Sequence, residues 1–411
     1  MASPTTTEIS LPPIVLSSPV DPTTEISDVS QLINHLKQAA YLEMSTIPMY
    51  LYASFSIGSR GYSQWDPGMG AFRLIRSIVV EEMLHLCLVR NLLVALGSDE
   101  IAFYSKDFMP KYPSPMLHRH PELILHLGPC DKKLVRDVFM EFERPKPRKG
   151  EGPPPPGQYA TIGEFYKAVG KGLAALDKKM GPALWRHNRP ELQYVAAYWN
   201  KDGGGAPVLV HNLKTAKDAL KIIVEQGEGI DPDKPSVPID PLKPIPGLDE
   251  LPHYTKFKRI ADGVEPLGPV WALPTDPCAK MYDGDAAVKA VNTLFNAMYC
   301  YVLHMLDVMY HTPWKDVEPG KHSKRYGLER TFMSAMQGVL VTVADMMVAT
   351  RTTVGDLAVQ YNAAPTFEYH KLPKTGKRKH LIELCDKAMT YFPQLGGDNS
   401  VRWLLGKMPD L

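Results

Sequence analysis

Residues 73–97 read RLIRSIVVEEMLHLCLVRNLLVALG, a run apolar enough for the middle of a core that nevertheless carries Glu81, Glu82 and His85 within five residues. An unpaired charge in an apolar interior costs several kcal/mol, so such groups are normally paired, neutralised or bound to a metal. The stretch is expected to form a helix from about Gly70 to Leu96, ended by Gly97. Along it Ile75, Ile78, Val79, Glu82, His85, Leu86 and Val89 share one face, and Glu81 lies about 100° round from Glu82. Glu82 and His85 therefore point together. Glu81 either backs the same site or, as the preferred reading, is a surface carboxylate paired with Arg90 or Arg73.

The same periodicity recurs on both sides. From Val29, VSQLINHLKQAAYLEMSTIPMYLYASF sets Leu32, Leu36, Ala39, Ala40, Glu43, Ile47 and Tyr50 along one stripe at steps of three and four. Tyr50, on the same stripe, either contacts the site or, as the preferred reading, is a core tyrosine. TIGEFYKAVGKGLAALDKKM opens with Thr161 and Glu164 at capping-box spacing, which accounts for Glu164 without a site. In LKTAKDALKIIVEQGEG (213–229), Glu228 falls beside Val224 and Gly227 on the apolar side, and Glu225 turns away. The glycines flanking Glu228 keep Glu225 open as its alternative. DELPHYTKFKRIADG (249–263) is a further amphipathic helix, in which Pro252 restricts the Glu250/His253 pair to the first turn.

Collected, the acidic residues and histidines on apolar helix faces are Glu43, then Glu82 with His85, then Glu228, then Glu250 with His253. One Glu from each of two helices plus a Glu-x-x-His from each of two others is the ligand set of a dimetal-carboxylate four-helix bundle. Residues i and i+3 lie on one helix face, so a single turn offers an oxygen and a nitrogen to the same ion. Carboxylates and imidazoles suit iron or manganese, and four negative charges offset two divalent cations. His304, in YVLHMLDVMYH, reads as a core histidine. No HExxH, GxxxxGK[ST] or GxSxG motif is present.

Composition narrows the remaining classes. The 411 residues carry 46 Lys and Arg against 45 Asp and Glu, a net charge of +1, which gives no electrostatic case for nucleic acid or an anionic membrane. Five scattered cysteines without a CxxC pair argue against a disulfide framework or a zinc knuckle. No signal peptide and no stretch of ~20 apolar residues stands out, so a cytoplasmic protein is expected. The organisation expected is a Pro/Ser/Thr-rich arm over 1–28 and a metal-binding bundle over 29–261. A linker over 262–284 and a C-terminal helical region over 285–411, packed on the bundle, follow. Residues 98–160 are expected to be irregular, with ERPKPRKGEGPPPPGQ (143–158) as a surface loop, and strands to be few and short.

The stretches LKQAAYLEMSTIPMYLYA, IVVEEMLHLCLVRNLLVALG, TIGEFYKAV, IVEQGEG, HYTKFKRI, FNAMYCYVLHML and APTFEYH resemble the ferritin-like domain family of iminophenyl-pyruvate dimer synthase, shared with the imine-coupling enzymes of violacein- and rebeccamycin-type pathways. The resemblance runs from about Val29 to about Tyr369. It implies an all-α, ferritin-like four-helix bundle with additional helices and long Pro-rich loops, and the metal positions Glu43, Glu82, His85, Glu228, Glu250 and His253. Two iron ions are the expected cofactor; haem is the alternative, since some relatives are associated with it. The chain is expected to comprise the ferritin-like domain with modest extensions and without the large additional region of the pigment-pathway relatives, which weighs against imine dimerisation. The function expected is therefore a non-haem diiron oxidase or oxygenase of secondary metabolism, with O₂ and a small organic molecule as partners. Coupling of amino-acid-derived imino or keto acids is the alternative enzyme, and an iron-binding or non-catalytic helical module the alternative from another class.

Overall fold

The computed structural model describes residues 24–58, 68–98, 101–195, 205–227, 251–314, 323–353 and 360–411. They fall into two compact units, one built from 24–98 and 110–276, the other from 101–109 and 277–411.

In the first unit α1 (Val29–Ser56) starts where the Asp28 carboxylate accepts from the Gln31 amide at 2.9 Å. Pro48 lies inside it, and beside that interruption the Ser45 carbonyl accepts from the Tyr112 hydroxyl at 2.5 Å. α2 (Met69–Ala95) is antiparallel company for α1 and ends at Gly97, whose φ of +84° is costly for a side-chain-bearing residue. A Cβ there would also meet the His187 Cβ at 2.6 Å. Most of α2 is buried all round, including Arg90 and Asn91, whose amide pairs with both backbone groups of Tyr194.

The stretch 98–160, expected to be irregular, contains a helical segment. It consists of α3 (Lys132–Leu134), a π-helical turn over Val135–Phe139 and α4 (Met140–Phe142). Such π turns within helices recur at functional sites. A two-stranded ladder, β1 (Ser114–Pro115) with β2 (Ile124–Leu125), lies earlier in the same stretch.

α5 (Ile162–Met180) is capped by Thr161, and Glu164 accepts from the Ala160 amide at 3.0 Å, the capping role expected for it. α6 (Leu213–Gly227) packs on α5 and α2, and α7 (His253–Ala261) packs on α2 and on the π turn. Ile26, placed by the sequence in an extended arm, is buried against Gly172 of α5. Residues 262–276, expected as a linker, return to α1: Pro269 accepts from the Gly58 amide and Ser56 from the Trp271 amide, each at 2.7 Å.

The second unit is organised by α8 (Ala286–Tyr310). Its Asn296 bonds Thr366 and Glu368, and its Asp307 accepts from the amides of Phe103 and Tyr104 at 2.8 and 2.9 Å. Around it lie α9 (Lys324–Met333), a π turn over Ser334–Leu340, α10 (Val341–Ala349), α11 (Lys377–Met389) and α12 (Val401–Lys407). A second ladder pairs β3 (Arg351–Thr353) with β4 (Gln360–Asn362). His304 is half-buried with its ring edge-on to Tyr104, and burial pushes its pKa down to about 4, as a core histidine would show.

Contrary to the expectation that no segment approaches a membrane span, Lys324–Ala349 passes that test by length and apolarity. Its exposed positions are Lys324, Gly327, Arg330, Ser334, Gln337, Thr342 and Ala349 and its buried ones include Val339, Leu340, Val343 and Met347, the two-sided pattern of a helix against a protein core.

Candidate metal centre

Glu43 of α1, Glu82 and His85 of α2, and His253 at the first position of α7 converge in the interior of the first unit, none more than 5% exposed. Glu228 and Glu250, also expected as ligands, lie outside the described residues. Glu225 is half-exposed, with Lys221 Nζ 3.8 Å away, and takes no part. Glu143, directly after α4, also reaches the cluster, and the sequence reading did not single it out.

The five groups divide into halves around Glu82. On one side His85 Nδ1 is 3.5 Å from Glu43 Oε2 and 3.9 Å from Glu82 Oε1. On the other His253 Nδ1 is 2.8 Å from Glu82 Oε1 and 3.5 Å from Glu143 Oε1. The two imidazoles stack with centroids 5.3 Å apart. Ligand atoms of Glu82, His85 and His253 lie within 4.8 Å of one another, close enough to share an ion.

Outer partners repeat the division. The Tyr166 hydroxyl donates to Glu43 and the Tyr50 hydroxyl to Glu143 Oε1, the latter at 2.7 Å. Tyr50 is thus more than the core tyrosine expected. The Thr46 hydroxyl, 2.7 Å from Glu82 Oε2 and 2.8 Å from the Glu43 carbonyl, shares one hydrogen between them. Each imidazole turns Nδ1 inward and Nε2 outward. His85 Nε2 donates to Gln226 Oε1 and His253 Nε2 to Glu81 Oε2, both at 3.0 Å.

The preferred expectation for Glu81 fails here. It is a buried residue whose Oε2 also accepts from Lys256 Nζ at 2.6 Å, and Arg90 instead donates to the Leu192 carbonyl. The face of α2 that carries Glu81 is covered by α7, so no surface was left for it.

Burial, with the negative charges of Glu143 and Glu43, pushes the Glu82 pKa up to about 7 against the pull of His253. Burial disfavours charge on both imidazoles, yet the surrounding carboxylates outweigh it. His85 is lifted chiefly by Glu43, and His253 well above the ordinary range chiefly by Glu143. Burial opposes ionisation of Glu43 as well, but His85 and Tyr166 draw its pKa down.

The residues fit a divalent metal ion. The Glu81 carboxylate oxygen accepts only, so His253 Nε2 carries the hydrogen and Nδ1 of the neutral ring presents a lone pair. That atom is buried and makes no hydrogen bond, although Glu82 Oε1 is 2.8 Å away. Two lone pairs held so close call for a cation between them: a proton in the metal-free protein, in keeping with the raised pKa of His253, or a metal ion in its place. A ligating histidine that gives its outer N–H to a carboxylate or amide oxygen is the usual support of such an ion. Glu43, Glu82, His85 and Glu143 line a small cavity of about 20 Å³, walled also by Phe142, Ile162, Gly163, Tyr166, Ile223 and Val224.

Comparison with known proteins agrees with this architecture. The chain is 23% identical over 88% of its length to dichlorochromopyrrolate synthase of Lentzea aerocolonigenes. It is 25% identical over 58% of its length to 2-imino-3-(indol-3-yl)propanoate dimerase of Chromobacterium violaceum. Both relatives are enzymes, a synthase and a dimerase, and the matches span 38% and 27% of their respective lengths. A crystal structure of a ferritin-like protein from Caulobacter vibrioides superposes with a TM-score of 0.54 at 23% identity, over 83% of this chain and 99% of that one, which supports the fold alone. The ferritin-like family model matches residues 36–262, more than half of the chain and all of the described metal centre, and the chain belongs to the ferritin-like family.

Proposed function

We propose that the chain is a non-haem diiron oxidoreductase that uses O₂ on a small organic substrate in natural-product metabolism. The observation that carries this reading is the division of three carboxylates and two imidazoles into two halves sharing Glu82. Two ferrous ions held there would supply the electrons that reduce O₂ and the oxidising power turned on the substrate.

The protein's own part is positioning. Tyr166 and Tyr50 fix the outer carboxylates Glu43 and Glu143, so each half keeps its shape while Glu82 spans the centre. Phe142, Ile162, Ile223 and Val224 give the small cavity at the cluster an apolar wall that limits the access of water to it.

The deciding experiment is iron content after anaerobic loading with Fe(II), followed by the absorption spectrum on admitting O₂, for wild type and Glu82→Ala. Two irons per chain and an oxygen-dependent absorption lost in the variant are expected. No iron, or unchanged behaviour in the variant, would sink the proposal.

The similarity to a dimerase of 2-imino-3-(indol-3-yl)propanoate favours a second reading, in which the site binds and couples amino-acid-derived imino or keto acids without using O₂. Turnover of such acids under strictly anaerobic conditions would select it.

A further inference from the structure

Resting on the dimetal reading, one difference between the halves goes beyond it. Behind His85 stands a neutral amide, Gln226 Oε1; behind His253 stands the carboxylate of Glu81, both at 3.0 Å from the outer ring nitrogen. Geometry is thus matched and charge is not. The Glu81 oxygen that receives the His253 N–H also receives Lys256 Nζ at 2.6 Å, and Glu81, Lys256 and His253 are all essentially inaccessible to solvent.

We infer that Glu81 and Lys256 make the two metal positions unequal, so that the first divalent ion enters the His253 half and the second the His85 half. Both residues act through His253 and are positioning residues.

Two effects give this order. An imidazole donating to a carboxylate places more electron density on its inner nitrogen than one donating to an amide, and is the better ligand for a divalent cation. Lys256 also holds Glu81 on the outside of the ring. Without that ammonium, a buried carboxylate one residue from Glu82 would be free to swing toward the ions. The His253 half is the tighter one in the absence of any metal too, with Nδ1 2.8 Å from Glu82 against 3.9 Å for His85. Less rearrangement is needed to close it on an ion.

The test is anaerobic titration of the full chain with Co(II), followed by visible absorption and calorimetry. The comparison is wild type, the charge-conserving double variant Glu81→Gln/Lys256→Met, and Gln226→Glu. Wild type should bind two ions in steps separated by at least about tenfold in affinity. The double variant should weaken the first step by about tenfold, closing the gap, and leave the second within about threefold. Gln226→Glu, which places a carboxylate behind His85, should strengthen the second step and narrow the gap without touching the first.

Two equal steps in wild type, or a double variant that weakens both steps alike, would overturn the order while leaving the dimetal centre standing. If the double variant does not fold, Gln226→Glu decides alone, since an unchanged gap there is equally fatal. A wild type that takes up no Co(II) overturns the metal reading itself and the order with it.

Discussion

The Tyr50 hydroxyl on α1 donates to the Glu143 carboxylate at 2.7 Å, joining two residues 93 positions apart in the chain. Tyr50 also packs edge-on to Phe139 in the π turn and against Phe257 of α7. One side chain therefore holds the carboxylate, the turn that delivers it and the helix that carries His253.

Removing that hydroxyl with Tyr50→Phe leaves the aromatic packing and breaks the bond to Glu143. The unliganded protein should lose about 1–2 kcal/mol in chemical denaturation. Metal uptake should persist with weakened affinity. Glu143→Ala, by contrast, should reduce bound metal from two ions to one per chain, measured by elemental analysis; two ions in this variant would remove Glu143 from the ligand set.

Replacing the central carboxylate with Glu82→Gln should separate stability from function. Three buried carboxylates repel one another in the absence of cations, and neutralising Glu82 relieves that repulsion. Above pH 7 the metal-free variant should be more stable than metal-free wild type by roughly 1–3 kcal/mol. Added divalent metal should raise the melting temperature of wild type, by several degrees at ~100 times the Kd, and leave the variant where it was.

A distinctive pH dependence follows for the metal-free protein. Glu82 has its pKa raised to about 7 from 4.5, so between those values the folded state holds a proton that the unfolded state has released. Its contribution to stability is present below pH 4.5 and is lost as pH rises toward 7, the reverse of an ordinary salt-bridged carboxylate. His85 and His253, raised above 6.5, act in the same sense: their contribution is complete below 6.5 and disappears as pH rises through their folded values. Melting temperature should therefore fall between pH 6 and 8 without metal. Metal must displace these protons, so its affinity should rise with pH and calorimetry in buffers of different ionisation enthalpy should register proton release.

Gly172 on α5 tests the packing of the first unit away from the metal centre. A Cβ at this position would lie 2.6 Å from the Ile26 Cβ, backbone-proximal atoms with little freedom to yield. Gly172→Ala should cost about 1–3 kcal/mol through overpacking, despite the higher helix propensity of alanine, with metal stoichiometry unchanged.

By itself, the sequence determined the long helices and four of the inward-facing groups, because apolar steps of three and four and the i, i+3 spacing of Glu82 and His85 are properties of one helix at a time. Glu43, Glu82, His85 and His253 were legible for that reason, and so was the capping role of Glu164. Tertiary structure decided the rest. Glu143 follows two three-residue α turns and a π turn and opens a Pro- and charge-rich loop, so it has no helical stripe to mark it. Glu81 was misplaced because periodicity assumes that a helix has a solvent face, whereas α7 covers the other side of α2 and turns that carboxylate into the partner of His253 and Lys256. Which carboxylate completes a buried site depends on which faces other elements cover, and that is settled only when the helices pack.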